Sequence, residues 1–378
     1  MASSKTDDPL RVLVLQGGGA LGSYQAGVGE ALHELRAAPH WVAGISIGAI
    51  NAALIAGNAP ERRLERLRAF WDLVTSGVQV APWWPTDGAH ALFNEAAAAW
   101  GTVTGAPGFF GHYLPPRALY PKCAPGPLGY YDTSPLKRTL EELVDFDLIN
   151  AKTVRLSVGA VDVETGNFAY FDNHEREIRP EHIMASGALP PGFPPVEIDG
   201  RLYWDGGLVS NTPLQYVLDC ATDEAVDILQ IDLFPARGAA PVTLADVAER
   251  EKDIRYSSRT RLNTDQQVEL HRTKEAFRRL IEKLPPELRD DPDARYLAER
   301  SREASIAILQ LIYRGRPYEG GAKDYEFSRA TMLEHWAAGA QDARRSLNHP
   351  DWTDRPRGQH GVAVYDLTRG RRSRDTEA

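Results

Sequence analysis

Ser46 lies at the centre of the pentapeptide Gly44-Ile45-Ser46-Ile47-Gly48. A short apolar run, Trp41–Ile45, precedes this serine, and small or apolar residues continue after it to Ala56. Such a sequence predicts a strand, a tight turn and a helix, which is the context of a nucleophile elbow that exposes the serine hydroxyl at the end of a sheet. The first amides of the following helix, beginning with Ile47, can stabilise negative charge that forms beside Ser46. We therefore predict that Ser46 is a nucleophile.

A glycine loop, Gly17-Gly18-Gly19-Ala20-Leu21-Gly22, follows the apolar strand predicted at Arg11–Leu15. Its spacing also satisfies Gly-x-Gly-x-x-Gly, a fingerprint of dinucleotide binding. A dinucleotide fold requires an acidic residue at the end of the second strand, where this chain has Gly44-Ile45-Ser46. We favour an oxyanion hole, formed by the loop amides for an ester attacked by Ser46, over dinucleotide binding or a purely structural turn.

Asp205 is the candidate general base. It precedes Gly206 and Gly207 and follows a hairpin predicted to turn at Asp199-Gly200. This position places a carboxylate at the end of a rigid strand, just before a flexible glycine pair. A free aspartate, with a pKa near ~3.9, is a poor base for a hydroxyl. We therefore expect a partly desolvated pocket that raises the basicity of Asp205.

The order and spacing of Gly17–Gly22, Gly44–Gly48 and Asp205–Gly207 resemble the three signature blocks of the patatin-like phospholipases. The resemblance covers roughly residues 10–235, and it is to a bacterial type with a helical C-terminal extension. It implies an α/β fold with three α/β/α layers and a mostly parallel central sheet. It also implies a Ser–Asp dyad, with Ser46 as nucleophile, Asp205 as base and Gly17, Gly18 and Gly19 as the oxyanion site.

Leu21 departs from the pattern of this family, in which many members carry a basic residue at this point of the glycine loop. The departure leaves backbone amides as the main stabilisers of an anionic oxygen. It slightly weakens the prediction of a phospholipid substrate. The text around Ala185–Pro190 and Asn211–Pro213 also resembles the family, without an assigned role.

Three regions are predicted along the chain. Residues 10–240 are expected to form the catalytic domain, since strands and helices alternate from its start. Within it, residues 77–131 are expected to form a cap or a loop insertion, because eight prolines and ten aromatic residues fall between Pro82 and Tyr131, both included. Residues 241–345 are expected to be a helical extension, and residues 346–378 a loose tail.

Composition excludes several classes of function. A formal net charge of −9 argues against nucleic-acid partners. The chain has no apolar stretch of membrane-spanning length and only two cysteines, which are far apart, so we expect a cytoplasmic protein that could bind peripherally at a membrane or lipid surface. No cofactor and no metal are expected, and the sequence predicts no particular oligomeric state. Histidines that follow Asp205 stand at no evident strand end and are expected to be surface or packing residues: His271, His335, His349 and His360.

The leading hypothesis is a serine acyl hydrolase that cleaves carboxylic esters of lipids through an acyl-enzyme, so the expected partner is a lipid or acyl ester substrate. An alternative within the same class is hydrolysis of short hydroxyacyl oligoesters or acyl thioesters. An alternative from another class is a catalytically idle scaffold that keeps the fold and uses its helical extension for binding.

Overall fold

A nine-stranded, mostly parallel sheet forms the centre of the computed structural model. The structure describes residues 8–80, 86–115, 117, 126–221, 225–257, 273–274, 276–300, 305–316, 318–356 and 361–368. The sheet order is β11-β10-β9-β1-β2-β5-β8-β7, and β6 also pairs with β5. The strands are β1 Leu10–Leu15, β2 Trp41–Gly44, β3 Gly111–His112, β4 Tyr131–Asp132, β5 Arg155–Asp162, β6 Phe168–Asp172, β7 Val196–Ile198, β8 Arg201–Asp205, β9 Ala225–Asp232, β10 Ser305–Ile312 and β11 Gly361–Asp366.

The helices lie on both faces of this sheet. Alternate residues of β1 point to opposite faces: Leu13 and Leu15 join the larger apolar cluster, whereas Val12 and Val14 join the smaller one. The α/β/α fold expected from the sequence is therefore confirmed. The helices are α1 Gly22–Glu34, α2 Ile47–Ala56, α3 Arg63–Val74, α4 Asp87–Thr104, α5 Ser134–Leu143, α6 Phe146–Asn150, α7 Pro180–Ser186, α8 Leu214–Cys220, α9 Leu244–Tyr256, α10 Pro286–Arg289, α11 Pro292–Arg300, α12 Arg329–Leu347 and α13 Pro350–Thr353.

Strand register brings the chemically important segments together. Leu15, the last residue of β1, is in register with Gly44 on β2 and with Ile231 on β9, so all three strands end at one edge. On the other side of β2, Gly44 is in register with Val158 of β5. Antiparallel β8 then places Asp205 opposite Ala160, two residues further along β5. The base candidate thus reaches the edge from which Ser46 projects.

The region after residue 240 differs from the sequence prediction in one important respect. The expectation of a purely helical extension is wrong for Ser305–Ile312, which forms β10 and pairs in parallel with β9 throughout its length. Gly361–Asp366, within the expected loose tail, forms β11 beside β10. Both segments are apolar runs; β9 offers β10 a strand edge whose backbone groups require partners, and β10 then offers such an edge to β11. Helices α9 and α12 are as helical as expected.

The aromatic and proline-rich segment at 77–131 contains more regular structure than the cap or loop expected there. Helix α4 begins after Thr86, whose hydroxyl accepts a hydrogen bond from the amide of Ala89 at 3.4 Å. Strands β3 and β4 then pair as a short antiparallel ribbon. Residues 81–85, 116 and 118–125 lie outside the described residues. Within the described part, no helix is long and apolar enough to cross a membrane.

Candidate active site

The turn between β2 and α2 has the geometry of a nucleophile elbow. Ser46 adopts φ 55° and ψ −123°, a backbone conformation that is strained for a residue with a β-carbon. Its amide donates a hydrogen bond to the hydroxyl of Ser186 at 3.0 Å. The flanking glycines are required by close packing, because a β-carbon on Gly44 would lie 2.3 Å from the carbonyl oxygen of Gly48. A β-carbon on Gly48 itself would lie 2.4 Å from the carbonyl oxygen of Leu15.

The glycine loop lies directly beside this elbow. Gly17, Gly18 and Gly19 line the same pocket as Ser46 and Ile47. The amide of Gly17 is already engaged, since it donates to the carbonyl oxygen of Asn211 at 3.1 Å. Among the described residues, the amides of Gly18, Gly19 and Ile47 donate to no backbone acceptor outside the regular helices and strands. Of the four amides expected from the sequence to face an oxyanion, that of Gly17 is therefore occupied within the fold. The amides of Gly18, Gly19 and Ile47 are left as candidates.

Asp205 is buried at the end of β8, with 2% of its surface exposed. Its carboxylate accepts a hydrogen bond from the amide of Gly207 at 2.7 Å and lies close enough to the hydroxyl of Ser46 for this hydroxyl to lower the pKa of the carboxyl. Burial raises the pKa of Asp205 to about 7, and the two neutral donors only partly oppose this effect. Gly206 follows against the backbone of β5, with its ideal β-carbon position 2.7 Å from the carbonyl oxygen of Gly159. The structure thus brings Ser46 and the predicted base together in one pocket.

A largely apolar pocket of about 310 Å³ opens in front of Ser46 and Asp205. Aromatic rings from distant parts of the chain contact one another along its wall. Phe110 packs against Tyr131, Phe193 and Phe327, with ring centroids 5.0 to 6.2 Å apart. None of the residues that line this pocket in the described part of the chain is Lys, Arg or His. Its further apolar lining includes Ile50, Phe109, Leu189, Pro190, Pro191, Phe234, Tyr256 and Tyr325.

Several site residues were given no role by the sequence analysis. Asn211 donates to the carbonyl oxygen of Gly17 at 3.0 Å, and Ser186 holds the amide of Ser46. Both lie in segments that carried the family resemblance, so their position relative to the motifs was a usable signal. Tyr256 and Phe327 have no such signal, because they come from the C-terminal region and reach the pocket only through the tertiary fold.

Described histidines lie away from the pocket lining. His335 is buried, with its Nε2 3.3 Å from Oε1 of Glu319, and His182 is buried at the start of α7. His349 precedes α13 and accepts a hydrogen bond from the amide of Asp351 at 3.1 Å. His271 and His360 lie outside the described residues. A search of the described residues for three or more clustered His, Cys, Asp or Glu that could hold a metal ion found no such group.

Sequence profiles of known families match both halves of the chain. A profile described as patatin-like phospholipase matches residues 13–218, more than half of the 378 residues. This chain belongs to the patatin-like phospholipase family. It is accordingly a carboxylic ester hydrolase of the lipid acyl hydrolase type. A second profile, described as patatin phospholipase, matches residues 254–359. A comparison with curated protein sequences found no match.

A search of solved structures found matches to bacterial proteins. VipD from Legionella pneumophila is 15% identical, with a TM-score of 0.40, and the match covers 91% of this chain and 69% of VipD. A chain of the ExoU–SpcU complex from the type III secretion system of Pseudomonas aeruginosa is 16% identical, with a TM-score of 0.31 and coverage of 77% and 66%. At these identities and TM-scores, the likeness defines neither a substrate nor a partner for this chain.

Proposed function

We propose that this patatin-like hydrolase cleaves carboxylic esters with a Ser–Asp dyad and an acyl-enzyme intermediate. The placement of the Ser46 hydroxyl beside the buried Asp205 carboxylate, in the same pocket, is the observation that supports this mechanism most directly. Asp205 takes the hydroxyl proton as Ser46 attacks the ester carbonyl, and the alcohol leaves with that proton. Asp205 then removes a proton from water, which attacks the acyl-enzyme and releases the acid. A pKa of about 7 makes this carboxylate a far better base than a free aspartate.

We propose that the amides of Gly18, Gly19 and Ile47 hold the oxyanion of the tetrahedral intermediate. The residues of these amides border the pocket beside Ser46, and in the described part of the chain the amides donate to no backbone acceptor outside the regular helices and strands. Loss of a single oxyanion donor typically lowers kcat by about 10²–10³. Leu21, which stands where many family members have a basic residue, is fully buried in the apolar core and provides no charge near the loop. The backbone therefore supplies the stabilisation of charge.

The pocket supports a lipid-like substrate whose enclosed part is small. A cavity of about 310 Å³ is at the small end of the roughly 300–1,000 Å³ range of ligand pockets, which favours an acyl group of short to medium length. The aromatic wall favours the acyl chain, and the lack of a described cationic side chain in the lining favours an uncharged ester over an anionic head group. The same observation supports the alternative of short hydroxyacyl oligoesters or acyl thioesters.

We also propose that the outer face of α4 contacts a lipid surface at the pocket entrance. Leu92, Trp100 and Val103 are exposed on this helix, and Thr102 lines the pocket. The hydroxyl of Tyr131 donates to the carbonyl oxygen of Thr102 at 2.9 Å, which fixes the helix beside the entrance. The sequence of α4 contains no Lys or Arg, so the contact would be apolar, with neutral or zwitterionic lipid.

A chromogenic ester series with short, medium and long acyl chains tests both the dyad and the substrate. We expect Ser46→Ala and Asp205→Ala to abolish turnover of every ester, and wild type to favour medium chains that fill the pocket. His112→Gln is the matched control, because this exposed histidine contacts the ring of Tyr131 without lining the pocket. Retained turnover in either dyad variant, or loss of turnover in the control, would contradict the proposed mechanism.

A further inference from the structure

Two segments of the C-terminal region reach the glycine loop. The carbonyl oxygen of Asp324 accepts a hydrogen bond from the amide of Ala20 at 2.8 Å. It also fills the space beside Gly19, where a β-carbon would lie 2.0 Å from this oxygen. Gly19 has a φ of 54°, a left-handed conformation that glycine adopts without a steric penalty. The backbone at Asp324 is thus in direct contact with one of the proposed oxyanion donors.

The end of α9 supports the loop from a second side. The carbonyl oxygen of Tyr256 accepts hydrogen bonds from the side-chain amide of Gln16 at 3.1 Å and from that of Asn211 at 2.8 Å. The same side-chain amide of Asn211 donates to the carbonyl oxygen of Gly17 at 3.0 Å. Gln16, which precedes the loop, and Asn211, which donates to Gly17 of the loop, are therefore both hydrogen-bonded to the end of α9.

Two lysines fasten these C-terminal segments to each other. Lys252 on α9 donates to the carboxylate of Asp324 and to the carbonyl oxygen of Gly321, both at 2.7 Å. Lys323 is 3% exposed and lies 2.7 Å from the carboxylate of Asp253 and 3.0 Å from that of Glu249. Burial opposes the charge of Lys323, but these two carboxylates outweigh it and raise its pKa. We call the five residues Glu249, Lys252, Asp253, Lys323 and Asp324 the latch.

We propose that the latch positions the glycine loop for catalysis, so that the C-terminal region completes the oxyanion site. This inference rests on the proposed function, because it assigns the loop amides to the oxyanion. A buried ion pair that joins α9 to residues 320–324 fixes the carbonyl oxygen of Asp324, which in turn fixes Gly19 and Ala20. A displacement of about 1 Å in such a group can cost about 10² in rate. The latch residues are positioning residues, since they act through the loop.

Lys252→Met tests this inference because it removes the donor to Asp324 and keeps the length of the side chain. We expect kcat for a medium-chain ester to fall about tenfold or more, with KM within about threefold of wild type. The affinity for a trifluoromethyl ketone, which forms a tetrahedral adduct with the serine, should weaken by a similar factor. Lys252→Arg should keep most of the wild-type kcat and of the affinity for the ketone, since its guanidinium can still donate to Asp324.

Arg344→Met is the matched control. Arg344 joins α12 to α1 through Glu34 at 2.7 Å, so its loss also breaks an ion pair between the C-terminal region and the first helix. It does not contact the glycine loop. We expect a decrease in Tm of the same order as for Lys252→Met, with kcat within about twofold of wild type.

Asp324→Asn provides a second variant should Lys252→Met fail to fold, because it retains the carbonyl oxygen and the size of the side chain. We expect a fall in kcat of about two- to fivefold, at a temperature well below its Tm. Wild-type kcat in both folded variants, or an equal loss in Arg344→Met, would overturn the role of the latch. Failure of a fluorophosphonate probe to label Ser46 in wild type would instead overturn the proposed function.

Discussion

The pKa values of two buried carboxyl groups in this molecule, those of Asp205 and Glu319, are shifted in opposite directions. Asp205 and Glu319 have 2% and 4% of their surfaces exposed. The pKa of Asp205 is raised to about 7 by burial, because its partners are the neutral donors Ser46 and Gly207. Burial acts on Glu319 in the same direction, but His335 and the hydroxyl of Tyr313 outweigh it and lower its pKa. For these two buried carboxylates, the hydrogen-bonding partners thus decide the direction in which the pKa moves.

Among the substitutions that test this difference between Asp205 and Glu319, we expect the largest effect from Asp205→Asn, which should lose activity. The amide keeps the size of the side chain but cannot accept the proton of Ser46. A positioned general base typically contributes about 10²–10⁴ to the rate, so we expect kcat to fall by a factor in that range. Steady-state turnover of a medium-chain ester measures it. A variant that keeps more than a tenth of wild-type kcat would show that Asp205 is not the base.

The same substitution should stabilise the protein at high pH. A carboxyl whose folded pKa is raised contributes stability that is present below its unfolded pKa of ~3.9 and is lost as pH rises to about 7. Wild type therefore loses about 4 kcal/mol over this window through Asp205, and the asparagine does not titrate. We expect the stability of Asp205→Asn relative to wild type to increase by about 2–3 kcal/mol from pH 5 to pH 8. Urea unfolding at both pH values measures this difference, and an unchanged difference would contradict the raised pKa.

Glu319→Gln should destabilise the protein at pH 8, whereas Asp205→Asn should become more favourable to stability at this pH. The carboxylate of Glu319 is stabilised by its partners, so neutralising it weakens the contact with His335. We expect the free energy of unfolding to fall by about 1–3 kcal/mol. Urea unfolding beside Asp205→Asn is the direct comparison. Stabilisation by Glu319→Gln would remove the distinction between the two carboxylates.

A smaller effect is expected from the backbone of the two regions. Ser46 has a left-handed φ of 55°, whereas the left-handed position after Glu319 is Gly320, with a φ of 61°. A residue with a β-carbon in such a conformation carries roughly 1–3 kcal/mol of strain. Replacement by glycine removes this strain, but glycine also raises the conformational entropy of the unfolded chain, which offsets part of the gain. We expect Ser46→Gly to be up to about 1 kcal/mol more stable than Ser46→Ala, although both are inactive. Equal melting curves would show that the elbow stores no strain.

The sequence predicted the placement of Ser46, Asp205 and the glycine loop at one edge of the sheet better than it predicted their surroundings. Ser46, Asp205 and the glycine loop belong to short motifs whose local backbone is encoded by neighbouring residues. Strand β10 was missed because its apolar run lies in a long, highly charged stretch whose average composition suggested solvated helix. The contacts of Lys252 with Asp324 and of Phe193 with Phe110 join residues far apart in sequence. Such contacts depend on the tertiary fold, and a single sequence carries no periodic signal for them.

The pH dependence of Ser46 labelling by a fluorophosphonate tests most directly whether Asp205 alone activates the serine. The labelling rate of wild type, followed by mass spectrometry, should rise with pH, reach half its maximum near pH 7 and level off above it. Asp205→Asn should label far more slowly and without that midpoint. If the variant keeps the wild-type rate and midpoint, another group activates Ser46, and the Ser–Asp mechanism is contradicted.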